Sequence, residues 1–456
     1  VRTALAAVIL YACAGIHGAV AETLSDALVK AYRSNPQMNA ERARQRATDE
    51  NVPQALSGYR PQIVASLSAG MQAVRNLLPD NTRQSASLKP WEIGVTVTQT
   101  LFNGFRTANN VRVAELQVQS GREALRNVAQ GVLLDAVTAY TNVVANQSLV
   151  EAQRSNVTFL KETLAITERR LQAGDVTPTD TAQAEARMRR GLADLNAAEV
   201  LLAVSQATYN QVIGNNPGQL RRAEPADRLL PTSRDAALAG ALHEHPAITA
   251  ASFDVDIATT TIHLAEGTLL PSATLQGSIS RSRQDDPTLG TSATDQASIV
   301  GSITAPIYDG GMAASQTRQA KELTTQSRLV LDQVRGQTRT AVVGAWVANE
   351  GAKVAVEASE AELRAATVAL EGVRRESQGG QRTTVEVLNA QADVVLAKAH
   401  LISAVRDRVI ASYTLLSAVG HLDVKTLNLN TPDYLPEAHY HQVRDAWHGL
   451  RTPSGQ

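Results

Sequence analysis

The chain of 456 residues carries its own sequence twice, and that duplication limits what it can fold into. Ala27-Leu28, Ala31, Asn35-Pro36, Met38, Ala40, Ala55 and Pro61 return as Ala237-Leu238, Ala241, His245-Pro246, Ile248, Ala250, Ala265 and Pro271, always 210 positions later. Leu101-Phe102-Asn103-Gly104 returns as Ile307-Tyr308-Asp309-Gly310 at a spacing of 206. The same spacing relates Gly174 to Gly380, Ala184 to Ala390, Ala186 to Ala392 and Gly214 to Gly420. So long a register marks one structural unit built in tandem. The first repeat spans 22–214 and the second 236–420. Between them, 215–235 is a linker with Asn215-Asn216-Pro217-Gly218, Pro225 and Pro231. Residues 421–456 form a C-terminal tail without a counterpart, its end expected to be mobile. Each repeat reads as a short helix, a β-hairpin (about 61–102 and about 271–308) and a helical hairpin (about 105–213 and about 311–419).

After each repeated proline the sequence alternates. Ile63, Ala65, Leu67, Ala69 and Met71 enclose Ser66, Ser68 and Gly70, with Gln72 following, and Ile93, Val95 and Val97 interleave with Glu92, Thr96 and Thr98. Leu275 and Ile279 interleave with Thr274, Gln276, Ser278 and Ser280. Ile299, Ile303 and Ile307 do so with Ser298, Ser302 and Thr304. Period two means one apolar face and one polar face. Four strands in two hairpins result, with polar loops near Pro79-Asp80-Asn81 and Asp285-Asp286-Pro287. A sheet covering a core would alternate in the same way. Here no further strands complete a sandwich, and the polar face is Ser, Thr and Gln rather than Lys and Glu. A barrel with lipid outside and water inside fits. Four strands cannot close one, and lipid tolerates no open edge. Several chains must each lend four strands to a shared barrel.

No proline occurs between Gly104 and Thr177 or between Ile307 and Thr431. Ala136, Val143, Val150, Val157, Leu164 and Leu171 recur every seven residues, matched by Val342, Asn349, Val356, Leu363, Leu370 and Ser377. This is a heptad seam, imperfect in the second half. A helix from about 106 to 172 is roughly 100 Å long at ~1.5 Å per residue. It breaks at Ala173-Gly174-Asp175 and returns from Pro178, a residue suited to a first helical turn. Gln378-Gly379-Gly380 repeats the break. The product is two long antiparallel hairpins.

Composition agrees with elongated packing. Aromatic residues are 4%, with four Phe, too few for a large compact core. Lys plus Arg is 43 against 44 Asp plus Glu, a net charge of −1 that excludes a chain built around nucleic acid. Arg2, the apolar run Ala4–Ala14 and Ala19-Val20-Ala21 read as a signal peptide over 1–21, with the mature chain starting at Glu22. Leu10-Tyr11-Ala12-Cys13 resembles a lipoprotein signal except at Tyr11, so lipidation of Cys13 stays open. Cys13 is the sole cysteine, which leaves the mature chain no disulfide or thiolate metal site. Past residue 21 no run of 18 apolar residues occurs, so no transmembrane helix is expected. His243-Glu244-His245 and His439-Tyr440-His441 lack zinc-protease spacing and read as surface histidines. Neither a nucleophile–base set nor a phosphate-cradling loop is present. No catalytic residue, metal or cofactor is expected. Tyr59, Trp91, Phe102, Phe105 and Tyr308 lie near strand ends, where an interfacial aromatic belt sits, although strand-to-helix packing explains Phe102 and Phe105 equally well.

Over residues 22–422 these features together resemble the TolC family of outer-membrane efflux and secretion channels. The carriers are Asn35-Pro36 and His245-Pro246, Pro61 and Pro271, the junctions Phe102-Asn103-Gly104 and Tyr308-Asp309-Gly310, and the turns Gly174 to Asp180 and Gly380 to Asn389. The resemblance implies a mostly α chain with a β-barrel part: a homotrimer whose twelve-strand barrel stands on a tunnel of long antiparallel helical hairpins. It implies residence in the outer membrane of a Gram-negative cell, with most of the chain in the periplasm. The implied partners are outer-membrane lipid, a periplasmic adaptor (membrane fusion) protein and an inner-membrane transporter. The implied function is the exit duct of a tripartite efflux pump for drugs, detergents or bile salts. A type I protein secretion channel is the alternative; a periplasmic adaptor or structural coiled coil and a soluble helical enzyme are further readings. In that family a polar network narrows the periplasmic tip. Asp180 and Arg382 match its aspartate and arginine, and Glu386 stands for an entrance aspartate. Ser377 replaces a tyrosine and Asn389 a second aspartate. An arginine fork can grip a carboxylate in two places, but charges at helix starts also occur simply solvated, where an acid suits the helix dipole.

Overall fold

The structure, a computed structural model, describes residues 21–77, 79–286, 290–453 and 455. The expected leader, apart from Ala21, and Cys13 lie outside the described residues. The elements are α1 (Leu24–Ser34), α2 (Pro36–Asp49), α3 (Asn51–Leu56), β1 (Gln62–Ala69), β2 (Gln72–Leu77), β3 (Arg83–Asn103), α4 (Arg106–Gln172) and α5 (Pro178–Ile213). The second half gives α6 (Arg234–Glu244), α7 (Pro246–Gly267), β4 (Ser272–Asp286), β5 (Gly290–Thr304), α8 (Met312–Gln378), α9 (Thr384–Val419) and α10 (Pro436–Val443). The two proline-free stretches become helices of identical length, 67 residues each, and their return helices are 36 residues each. The described residues up to Arg42, Ala124–Thr249 and Val334–Tyr434 form a helical unit. Ala43–Glu123, Ala250–Gln333 and the residues from Leu435 form a second unit that contains the sheet.

The core of the helical unit joins α1 (Leu24, Ala27, Leu28, Ala31) to α4 (Leu133, Ala136, Val137, Tyr140, Val143), α5 (Tyr209, Ile213) and the tail (Leu422, Val424, Leu429). A smaller second core places α6 (Ala237, Ala241) against Val342 and Ala345 of α8 and Leu415 and Val419 of α9. These are the duplicated positions. One 18-residue window of α4 reaches a mean hydropathy of 1.2, enough on average to cross a membrane, but 56% of it is buried in protein. That apolarity serves the core. The Asn35-Pro36 motif earns its place at a helix break: Asn35 Oδ1 accepts the N–H groups of Gln37 and Met38 at 2.9 and 3.3 Å, and Asn35 Nδ2 donates to the Val212 carbonyl at 2.9 Å. His245 repeats the cap through Nδ1, which accepts from Ala247 N at 3.2 Å. Asn349, a polar member of the second heptad seam, is buried and accepts from Arg408 Nη1 at 2.6 Å.

The sheet is antiparallel, in the order β1–β3–β4–β5, with β2 also on β3. β1 and β2 are the single strand expected from the sequence, interrupted at Gly70–Met71 beside Pro90, which has no N–H to donate. The register resumes unchanged. Four expectations are corrected. Asp285 and Asp286 lie in β4 rather than a loop, and Asp285 accepts from Thr291 Oγ1 at 2.7 Å and Arg283 Nε at 3.2 Å. The last strand stops at Thr304, short of Ile307, because Pro306 cannot extend the ladder. The tail is not loose: Leu422 is fully buried in the helical unit. Within the other unit Val443 is buried and His439 Nδ1 lies 2.9 Å from the buried Asp49 carboxylate, so His439 is not a surface histidine.

Candidate functional site

Residues opposite one another in an antiparallel pair share a face. The register therefore sorts the sheet into rows. Beginning at the end joined to the helices, one face carries Phe102–Ala273–Ile303, Gln99–Leu275–Gly301, Ile63–Val97–Gly277–Ile299 and Ala65–Val95–Ile279–Ala297. The next row is Leu67–Ile93–Arg281–Asp295, where the first charges appear. The opposite face carries Gln62–Thr98–Gln276–Val300, Val64–Thr96–Ser278–Ser298 and Ser66–Gly94–Ser280–Gln296. Hydroxyls pair there, Ser278 Oγ to Ser298 Oγ at 2.8 Å. Ile299, Ile303, Leu67 and Ile279 are 70–81% exposed, so among the described residues nothing covers these apolar side chains. Ala273 to Arg281 is eight residues, which at about 3.4 Å per residue and a tilt of about 40° gives an apolar height of about 20 Å, close to the ~25 Å band of a membrane barrel.

The strand-to-helix junctions are built alike. Gly104 (φ +67°) and Phe105 (φ +62°) are successive left-handed residues, matched by Gly310 (+71°) and Gly311 (+90°). At Gly104 a Cβ would sit 2.2 Å from the Gly267 carbonyl oxygen, so any side chain there forces the backbones apart. Asn103 Oδ1 accepts Thr107 N at 3.3 Å, and Asp309 accepts Gly311 N and Ala313 N at 3.0 and 2.7 Å. Phe102 packs edge-on against Phe105 at 5.2 Å. Tyr308 is 86% exposed.

At the far ends of the helical hairpins Gly174 (φ +83°) and Gly380 (φ +78°) close the turns. Thr177 and Thr383 then cap α5 and α9. The Asp180 carboxylate accepts Thr177 N and Oγ1 at 2.9 and 2.8 Å, which holds its pKa below the usual range. Glu386 accepts Thr383 N at 2.8 Å, Arg382 Nη1 at 2.7 Å and Thr383 Oγ1 at 3.0 Å. The Thr383 backbone bond, foremost, and the Arg382 guanidinium push its pKa down to about 2. Arg382 Nε also donates to Glu376 Oε2 at 2.9 Å. Asn389 Oδ1 accepts Arg187 Nη2 at 2.8 Å, which ties α9 to α5 beside the small cluster Leu160, Ala184, Met188 and Leu388. Ser377, half-buried, accepts Gly380 N with its carbonyl. Arg382, Glu386 and Glu376 thus form one group, whereas within the chain Asp180 bonds its own cap and not Arg382. Thr177, Thr383, Glu376 and Arg187 were not singled out from sequence. The threonines were legible as duplicated Thr-x-x-acid boxes 206 positions apart; Arg187 carries no such mark.

The sequence profile of the outer membrane efflux proteins matches twice, over residues 27–215 and 237–421. The chain belongs to that family. It is 41% identical over 440 residues to the outer membrane efflux protein BepC of Brucella suis, covering 96% of this chain and 94% of that one. Identity to the outer membrane protein TolC of Vibrio cholerae is 26% over 427 residues, covering 90% and 93%. Among solved structures, the Campylobacter jejuni CmeC outer membrane channel superposes with a TM-score of 0.79 at 15% identity, covering 92% of this chain and 89% of that one. Family membership makes this efflux protein an outer-membrane exit duct, with long helices in the periplasm.

Proposed function

We propose that three copies of this efflux protein close one twelve-strand barrel, each lending the four-strand sheet, and that exported compounds leave through its hydroxyl-lined interior. One observation carries this reading. Among the described residues the sheet has an unpartnered strand at each edge, an uncovered apolar face and an uncharged polar face of matching height. Lipid on one side and water on the other satisfy both faces, and neighbouring copies satisfy the edges. The helical hairpins then form the periplasmic tunnel, with Asp180, Arg382, Glu386, Glu376 and Asn389 at its entrance. The duct works without a catalytic step; an inner-membrane transporter, joined through a periplasmic adaptor, supplies the energy. Its cargo is drugs, detergents or bile salts. Purified protein added to a planar bilayer should give discrete single-channel steps. Deletion of the gene should sensitise cells to bile salts and antibiotics. Absence of conductance from detergent-stable, folded protein refutes the duct; loss of protein export with unchanged drug sensitivity refutes the cargo.

A further inference from the structure

Beyond the Ala65–Ala297 row, the apolar face of the sheet changes character. By the same register, the strand-paired residues on this face from the Leu67–Ile93 row outward include Arg281, Arg283, Lys89, Arg75 and Arg83, with Asp295 and Asp285 as the carboxylates among the described residues. Arg281 is fork-bonded to Asp295, with Nη2 at 2.7 Å from Oδ2, and Arg283 reaches Asp285 at 3.2 Å. Five cations against two anions leave the strand-paired rows of this face three charges positive per chain among the described residues, while Asp80 in the connecting turn accepts Thr82 N at 3.0 Å. On the opposite face of the same rows the described side chains include no cation, and Glu92 is acidic. The cations are therefore sorted to one side of the sheet. Trp91 lies among them, in the row Ala69–Trp91–Arg283–Ala293, where an indole marks a membrane–water boundary.

On the barrel reading above, on which this inference rests, the apolar face meets hydrocarbon and the hairpin ends point away from the periplasm. The rim then lies at the headgroup level of the outer leaflet. We propose that this collar, centred on Lys89, Arg75 and Arg83 beside Trp91, binds the phosphates of a phosphorylated glycolipid headgroup in the outer leaflet. Arginine forks suit phosphate oxygens, and a free anion would not need the adjoining apolar rows Leu67–Ile93 and Ala65–Val95–Ile279.

The test uses full-length protein reconstituted in phosphatidylcholine vesicles containing spin-labelled diphosphorylated lipid A or its dephosphorylated counterpart. Electron spin resonance reads the fraction of label held at the protein. The protein should prefer the diphosphorylated lipid, and the preference should fade with added salt. Each basic side chain at an anionic surface contributes about a fivefold preference. The triple variant Arg75→Gln/Arg83→Gln/Lys89→Gln should therefore lose tenfold or more, and Lys89→Gln alone a few-fold. Equal association of the two lipids with the native protein overturns the proposal, as does a triple variant that keeps the full preference. Displacement by inorganic phosphate at matched ionic strength assigns the site to a free anion and overturns it too. Channel conductance is recorded on every preparation. Native protein that never inserts refutes the barrel reading itself; inserted, conducting protein without headgroup preference refutes the collar alone.

Discussion

Arg408→Ala removes the one charged side chain that the helical unit buries among the described residues, on α9 facing the second seam. The Arg408 side chain is 9% exposed; it donates to Asn349 Oδ1 at 2.6 Å and is ion-paired with Asp227 in the linker. Asn349 is 1% exposed, so removal of the guanidinium leaves a buried amide oxygen without a partner, at about 1–3 kcal/mol. Loss of the packed arginine stem adds roughly 1 kcal/mol. Asp227 is half exposed and rehydrates at little cost. The sum, about 2–4 kcal/mol, falls on the linker, where Ala226 N donates to Ser412 Oγ at 3.0 Å and Leu229 N to Ala226 O at 2.9 Å. Amide hydrogen exchange at Ala226, Leu229 and Leu230 should accelerate about 30-fold to several-hundred-fold, since 1.4 kcal/mol is tenfold. The double variant Arg408→Met/Asn349→Leu should lie closer to the native protein than Arg408→Ala, because apolar residues fill the seam without a stranded polar group. Exchange in Arg408→Ala within twofold of the native rate refutes the reasoning.

Other outcomes follow from the same geometry. Ile299→Lys, on the uncovered apolar face, should cost about 2–4 kcal/mol and sharply reduce outer-membrane insertion, whereas Ser298→Lys on the opposite face should insert normally; equal insertion yields contradict the face assignment. Arg382→Ala and Asp180→Ala should raise single-channel conductance in a planar bilayer, and unchanged conductance in both removes the entrance role. The Glu386 carboxylate, with a pKa pushed down to about 2 from an ordinary 4.5, remains ionised from pH 7 to pH 4. Its contribution is complete above pH 4.5 and is lost as pH falls toward 2, so Glu386→Gln should alter conductance at pH 7 and pH 5 equally. A difference between those two pH values that disappears in Glu386→Gln contradicts the assignment. Gly104→Ala should block correct assembly, since the added Cβ meets backbone rather than a movable side chain; normal yield and stability of that variant contradict the junction geometry.

The tandem order and the helix lengths were legible because both are one-dimensional: a fixed spacing of 206 and an absence of proline write them directly into the chain. The alternating strands were legible for the same reason. Pro306 and Pro90 show where local chemistry overrides periodicity, ending one strand at Thr304 and splitting another at Gly70. Less visible were partnerships between distant residues. Asn349 looked like a defect in a heptad, and only the fold brings Arg408 to it, 59 positions away. Arg187 and Asn389, 202 positions apart, are likewise joined by two hairpins meeting. At the hairpin ends the residue types were readable, but the Thr177 and Thr383 caps decide where the Asp180 and Glu386 carboxylates point. The sorting of cations to one face needed the cross-strand register, which a single strand does not contain.

The most direct measurement is the native mass of the protein extracted from membranes in mild detergent. Three chains per particle, separating only when the sheet unfolds, is the expected result. A single chain that stays folded and dissolved after the detergent is removed contradicts the shared barrel.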